Sequence, residues 1–303
     1  MQSSLATPKT LEFRWRRTGW LLIPVLALCL WVPELQSLWS SWKDDPSLSH
    51  GPLVPVIAGV LLWMRRSELR SWRSAALPGL ILLALSTLLY VGSVWADIDF
   101  LRPLCLIAMA CGAVWYLGGW RTLTASLGAL GFLVFMIPWP TTLVAALAFP
   151  MQLASSAYAA QMAGMLGLPI ERNGVNLSVV PNLHAPPTYS IVVAQACSGL
   201  TSVIVLLALA YLIAYHTKVA LWARALLIVS VIPMSLFLNA VRLTAVLMAG
   251  AHYNPAIARW IHDHEEPVLV LFCSLGLVGL RSLMLAWLGP KEPSVPAEAP
   301  AHV

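Results

Sequence analysis

Three side chains, far apart in the sequence, are of the types that carry out acyl transfer. Cys197 stands in "QACSGL" at the start of an apolar run. A helix N-terminus there would offer free N–H groups and a positive partial charge, which favour a thiolate and an oxyanion. Ser198 is a weaker nucleophile, and Gly199 lets backbone or substrate approach closely. Arg242 lies inside the apolar run "SLFLNAVRLTAVL". An ionisable residue in such a run is a functional candidate by default, because burying it unpaired is costly. Asn239, three residues earlier, shares its helical face and can orient the guanidinium or add a donor. His262 and His264, in "RWIHDHEEPV", supply an imidazole, the usual base for a thiol at neutral pH. Asp263, Glu265 and Glu266 could orient it. Thiol, cation and imidazole together make an acyl-transfer set. Each alone also fits a plainer role: a small buried thiol, a snorkelling arginine, and a solvated acidic loop or loose metal pair.

The elements that must position these residues are set by composition. Of 303 residues, 59% are hydrophobic and 10% charged, with mean hydropathy +0.78. A soluble domain carries about 25% charged residues. These figures exclude a soluble globular enzyme, a disordered chain and a coiled coil, and point to the lipid bilayer as solvent. Eight apolar spans are expected: Thr18–Leu38, Ser49–Met64, Ala75–Ala96, Pro103–Gly119, Thr122–Ile137, Cys197–His216, Ala225–Gly250 and Val268–Leu288. Five Cys cannot all pair, and Cys29, Cys105, Cys111 and Cys273 sit in apolar runs, so no disulfide framework is expected. No metal and no cofactor is expected.

The net charge of +5 reads as an orientation signal rather than a nucleic-acid footprint. With a cytoplasmic N-terminus, the cytoplasmic side receives 13 of the 18 bases, among them Arg14, Arg16, Arg17, Arg65, Arg66, Arg121, Lys218, Arg224 and Arg281. The outer side receives nine of the 13 acids, including Asp97, Asp99, Asp263, Glu265 and Glu266. The uncharged stretch Thr141–Leu168 resists this scheme. Rich in Ala, Ser and Gln with Pro150 at its middle, it reads as an interfacial or partly buried helix on the outer side, with a ninth span as the alternative. "NGVNLSVVP" and "TYSIVVA" read as two short strands. Eight Trp, namely Trp31, Trp39, Trp42, Trp63, Trp72, Trp95, Trp120 and Trp139, fall near span ends and read as interfacial anchors. The expected organisation is a cytoplasmic N-terminus (1–17), a membrane-embedded domain (18–288) with a periplasmic insert at about 138–196, and a disordered cytoplasmic tail (289–303). The fold class is all-α and polytopic, with about eight transmembrane helices and a small periplasmic β element before the active-site helix.

Several blocks, in order, resemble the exosortase/archaeosortase family of membrane cysteine transpeptidases. "DDPSLSHGPLVPVIAGVLLWMRR" (44–66) is similar to the family's Asp-Pro…Ser-His-Gly-x-Leu-Val-Pro block, span and basic stop. "RNGVNLSVVP" (172–181) resembles the polar strand before the thiol. "AQACSGLTS" (194–202) and "LNAVRLTAV" (238–246) resemble its Ala-Cys-Ser-Gly-Leu and Asn-x-x-Arg blocks. The resemblance implies an inner-membrane enzyme whose Cys197 attacks a Pro-Glu-Pro-type signal at the C-terminus of exported proteins, a signal followed by a single membrane span. A thioester would form, and a second nucleophile would release the protein. Arg242 would stabilise the tetrahedral intermediate and a His would act as acid and base. The family's His-x-x-x-Gly meets Glu266 when counted from His262 and Val268 from His264. His262 is preferred for its following Asp, and His264 stays open. The active site would face the periplasm, with both termini cytoplasmic. The rival reading is a non-enzymatic transporter or polysaccharide-export component, with Arg242 as a substrate-binding charge.

Overall fold

The computed structural model describes residues 29, 31–68, 77–180, 186, 188–193, 200–264 and 266–288. The N-terminus, most of the first expected span, the tail after 288, and Cys197, Ser198 and Gly199 lie outside the described residues. Two compact units divide the chain, Met1–Thr141 and Thr142–Val303.

In the first unit, α1 (Val32–Asp44) is followed by α2 (Leu53–Met64), α3 (Leu77–Trp95) and α4 (Leu101–Phe132), which ends in a 3-10 turn, Leu133–Met136. Between α1 and α2, Asp45 accepts hydrogen bonds from the Ser47 N–H (2.8 Å) and hydroxyl (2.6 Å). Such an Asx turn reverses the chain without needing glycine. The Trp42 indole donates to the Met136 carbonyl at 2.9 Å, and His50 Nε2 lies 3.1 Å from the Phe135 carbonyl. Gly51 is required beneath that indole, since a Cβ there would meet the Trp42 ring at 2.4 Å. Helices α3 and α4 touch through backbone. A Cβ on Gly79 would stand 2.3 Å from the Tyr116 nitrogen, and one on Gly112 would stand 2.8 Å from the Leu83 nitrogen. Small residues permit this approach where lipid gives no hydrophobic drive to pack helices.

Helix α4 is not one rod. Gly119 takes φ 77° and ψ −178°, a conformation essentially closed to other residues. A straight 32-residue helix would be about 48 Å long. Instead Asp97–Phe100, before its start, Arg102 in its first turn, and Pro138–Thr141, after its end, line the same cavity, so the chain folds back at Gly119. Thr122 donates to the Gly118 carbonyl across the corner at 2.7 Å.

In the second unit, α5 (Thr141–Met165) leads into a three-stranded antiparallel sheet: β1 (Ile170–Asn173), β2 (Asn176–Val179) and β3 (Tyr189–Val192). Asn173 pairs with Asn176, and Val179 with Tyr189. Then come α6 (Leu200–His216), α7 (Leu221–Val229), α8 (Val231–His252), α9 (Pro255–His264) and α10 (Glu266–Leu288). Helices α6 and α8 are antiparallel: Ser202 and Asn239 line the same small cavity as Leu206 and Ser235. Arg281 of α10 donates to Thr217 just after α6, at 3.2 Å. Two of the core clusters among the described residues join most of these elements. Val203, Leu206, Ala223, Leu227, Cys273 and Leu277 join α6, α7 and α10. Ala159, Ala163, Leu177, Val193, Leu243 and Leu247 join α5, the sheet and α8.

Five helical segments among the described residues are long and apolar enough to cross a membrane: Leu77–Trp95, Leu101–Met136, Thr141–Met165, Leu221–His252 and Pro267–Leu288. The chain is thus a mostly helical, multi-pass membrane protein. The expected count of eight is not reached by this measure, for identifiable reasons. The fourth and fifth expected spans are continuous through the Gly119 corner. Leu53–Met64 and Ser202–His216 are shorter apolar helices; 12 residues rise only about 18 Å against a hydrocarbon core of about 30 Å. The first expected span lies mostly outside the described residues, and the described helix Val32–Asp44 overlaps only its last part and runs on to Asp44. Thr141–Met165, expected to lie at the interface, has the length and composition of a crossing helix. Met151 and Ala159–Ala163 pack within the helical core of its unit. Two of the expected interfacial tryptophans turn inward: Trp42, as above, and Trp31, whose indole reaches the Met109 sulfur at 3.3 Å.

Candidate active site

Helix α8 carries Asn239 and Arg242, and its neighbours are what make the segment a site. Asn239 is buried, 3% exposed. Its Nδ2 donates to Ser155 Oγ of α5 at 3.0 Å. One turn on, the Thr244 hydroxyl donates to Ala240 O within its own helix (2.8 Å) and reaches Ala159 O of α5 at 3.4 Å. Ser155, Ala159 and Ala163 recur every four residues and are fully buried. They form the flat stripe that lets α5 approach α8. Arg242 is half-buried.

Asn239 also lines a cavity of about 10 Å³ with Ser202, Leu206, Ser235, Leu238, Leu269 and Cys273. This space is of the order of one water molecule. Ser202 belongs to the first turn of α6, and α6 begins at Leu200, three residues after Cys197. The start of the helix that follows the thiol therefore meets α8 at Asn239.

The imidazoles are separated by the geometry of α9. The segment expected as an acidic loop is a helix. Asn254 caps it, its Oδ1 accepting from the Ile257 N–H at 2.9 Å, and Pro255 occupies the first helical position. Asparagine before proline is a helix-start signal. Ala258, fully buried, packs with Val246 and Ala249 of α8. His262, one turn further, is half-buried. It lines a cavity of about 360 Å³ with Leu243 and Val246 of α8, Tyr189–Val192 of β3, and Arg259. His264 is exposed. Its Nδ1 lies 2.9 Å from the Trp260 carbonyl, and its ring stacks on Trp260 at 5.0 Å. Residues two apart on a helix point to nearly opposite sides, so only one of the pair turns toward α8.

The sheet forms one wall of the His262 cavity. Tyr189 lies over Gly250 of α8, where a Cβ would meet the ring at 2.4 Å. Burial pushes the Tyr189 phenol up from its ordinary value, against a smaller opposing pull from Arg259, so it is a neutral hydroxyl at physiological pH. Ser156 of α5 donates to the Gly174 carbonyl in the β1–β2 turn at 2.9 Å, tying the sheet to the helix whose Ser155 accepts from Asn239.

Thus Asn239, Arg242 and His262 are carried by elements packed on one another, His264 is turned away, and Cys197, Ser198 and Gly199 lie outside the described residues. Ser155, Ser202, Tyr189 and Cys273 were not singled out from sequence. Ser155 carries a sequence signal, since small residues recur at four-residue spacing in Ser155–Ala159–Ala163, and the other three carry none of that kind. Among the described residues, no three His, Cys, Asp or Glu side chains gather as a metal set would.

The family of transmembrane exosortases matches residues 42–279 of the chain. No curated protein and no solved structure matches it.

Proposed function

The chain belongs to the transmembrane exosortase family, and from that premise we propose that it is a cysteine transpeptidase of the bacterial inner membrane. It cleaves a Pro-Glu-Pro-type signal near the C-terminus of exported proteins that end in a single membrane span. The Cys197 thiolate attacks the scissile carbonyl carbon, and the carbonyl electrons move to oxygen. Arg242 stabilises that oxyanion. When the tetrahedral intermediate collapses, the C–N bond breaks and the departing amine takes a proton from the His262 imidazolium. The resulting thioester is resolved by a second nucleophile that gives its proton back to His262. Asn239, fixed by Ser155, positions the α8 segment that carries Arg242.

The observation that carries this reading is the double packing of α8. Its Asn239 shares a cavity with the first turn of the helix that follows Cys197, and its Leu243 and Val246 share one with His262. The reading also puts the site on the periplasmic face and both termini in the cytoplasm, in keeping with Lys218, Arg224 and Arg281 grouped near the far end of α6 and α10. The test is co-expression with a substrate bearing the signal. Wild type should shorten it and Cys197→Ala should leave it full length, while equal processing by both would overturn the proposal.

A further inference from the structure

The sheet of the second unit ends on an open edge. Its strand order is β1–β2–β3, so among the described residues β3 has a hydrogen-bonded neighbour on one side only. The register shows which backbone groups are left over. The Val193 N–H donates to the Val175 carbonyl at 3.0 Å, in the same register that pairs Ile191 with Leu177 and Tyr189 with Val179. Hydrogen-bonded pairs alternate with non-bonded ones along an antiparallel ladder. The N–H and C=O groups of Tyr189 and Ile191 therefore turn to β2, and those of Ser190 and Val192 turn outward. No other hydrogen bond takes them up among the described residues. An edge of this kind is a template for another strand.

The same edge borders the His262 cavity. All four residues Tyr189–Val192 line it, together with Arg259 and His262 of α9. Side chains alternate between the two faces of a strand, so a cavity that touches four in succession runs along the edge rather than over one face. Tyr189 and Ile191 pack on Val246, Ala249 and Ala258, while Ser190 and Val192 are exposed. Arg259 is exposed too and forms no ion pair among the described residues. No carboxylate lines the cavity. We infer that the β3 edge takes up an extended peptide with an acidic side chain as a fourth strand, held by backbone hydrogen bonds to Ser190 and Val192 and by the Arg259 charge. In such a complex the main chain supplies affinity and the side chain supplies choice. This deepens the proposed peptidase function and rests on it, since the peptide is then the sorting signal. A Pro-Glu-Pro segment suits the edge. Alternate residues of an added strand face β3, so the Glu offers its N–H and C=O while both prolines, which have no N–H, face away.

The test is fluorescence anisotropy of a labelled peptide containing Pro-Glu-Pro, titrated with the purified full chain carrying Cys197→Ala, which removes turnover. N-methylation of the Glu, a change to the peptide alone, should weaken binding about tenfold or more, because it removes the N–H that faces β3. Adding Ser190→Pro to the chain should do the same. Proline is accepted on an edge strand where its nitrogen faces away from the ladder, so the thermal midpoint should stay that of the parent. Arg172→Pro, the same change on the outward side of β1, should leave binding within about twofold. Arg259→Gln should erase the preference for the Glu peptide over its Gln counterpart. Cleavage of the peptide by the wild-type chain is followed alongside. Binding with these sensitivities but without cleavage would uphold the strand edge and contradict the peptidase function. No binding, or cleavage and binding that tolerate both N-methylation and Ser190→Pro, would overturn the inference.

Discussion

Asn239 Nδ2 donates to Ser155 Oγ at 3.0 Å, and the bond is buried. It joins the helix bearing Arg242 to the helix that leads into the sheet. The amide N–H and the hydroxyl are partners in this buried bond, so removing one leaves the other short of a partner. Ser155→Ala should destabilise the protein by about 1–3 kcal/mol, read as a lower thermal midpoint in detergent. Asn239→Ala should cost a similar amount, and the double variant should cost less than the sum of the two. Strict additivity would show that the two side chains are not coupled.

The two imidazoles should separate in function. His262→Ala should slow substrate processing by about a hundredfold or more, the usual loss for a general acid–base. His264→Ala should stay within a few-fold of wild type, since that ring is exposed and stacked on Trp260. The reverse ranking in a processing time course would move the acid–base role to His264.

Helix contacts made through small residues should not tolerate growth. Ala159→Leu, at a fully buried position, should destabilise by about 1–3 kcal/mol through overpacking. Gly79→Ala, aimed at the Tyr116 backbone, should lower the thermal midpoint, whereas Gly59→Ala and Gly92→Ala, with nothing within 4 Å, should not. Helix propensity alone would raise stability at all three glycines, so a uniform gain would refute the close packing of α3 on α4.

Sidedness can be read with a membrane-impermeant maleimide on intact spheroplasts, in a chain whose five native Cys are replaced. Ser178→Cys, on the sheet, should be labelled, and Lys218→Cys should be labelled only after lysis. The opposite pattern would follow if Thr141–Met165 inverts everything after it, and would place the site on the cytoplasmic side.

The apolar runs were legible because each carries its own signal: about 20 residues without charge, closed by Arg65–Arg66, Asp97 or Arg121. Tertiary decisions were less so. Thr141–Leu168 has a span's length, but its Ala, Ser and Gln read as interfacial until a partner is known. The partner is α8, against which Ser155, Ala159 and Ala163 lie flat. The sequence suggests two strands where three form, because the run from Asn173 through Gly174 reads as continuous strand. Gly174 sits at φ 62° at the first position of a two-residue turn between paired Asn173 and Asn176, where a hairpin turn that needs a positive φ favours glycine. The histidine segment read as a loop from its charge, although Asn254-Pro255 marks a helix start. Which histidine faces α8 depends on that helix and could not be read from an acidic string. Asn239 and Arg242 stood out from composition alone, since polar groups in an apolar run are conspicuous, but Ser155 as the partner of Asn239 required the fold.

The most direct measurement is intact-mass analysis of the enzyme quenched during turnover of a signal-bearing peptide. The account predicts an adduct equal to the N-terminal part of the peptide less water, released by hydroxylamine, mapping to Cys197 and absent from Cys197→Ala. An adduct on any other residue, or processing by Cys197→Ala at the wild-type rate, would contradict it.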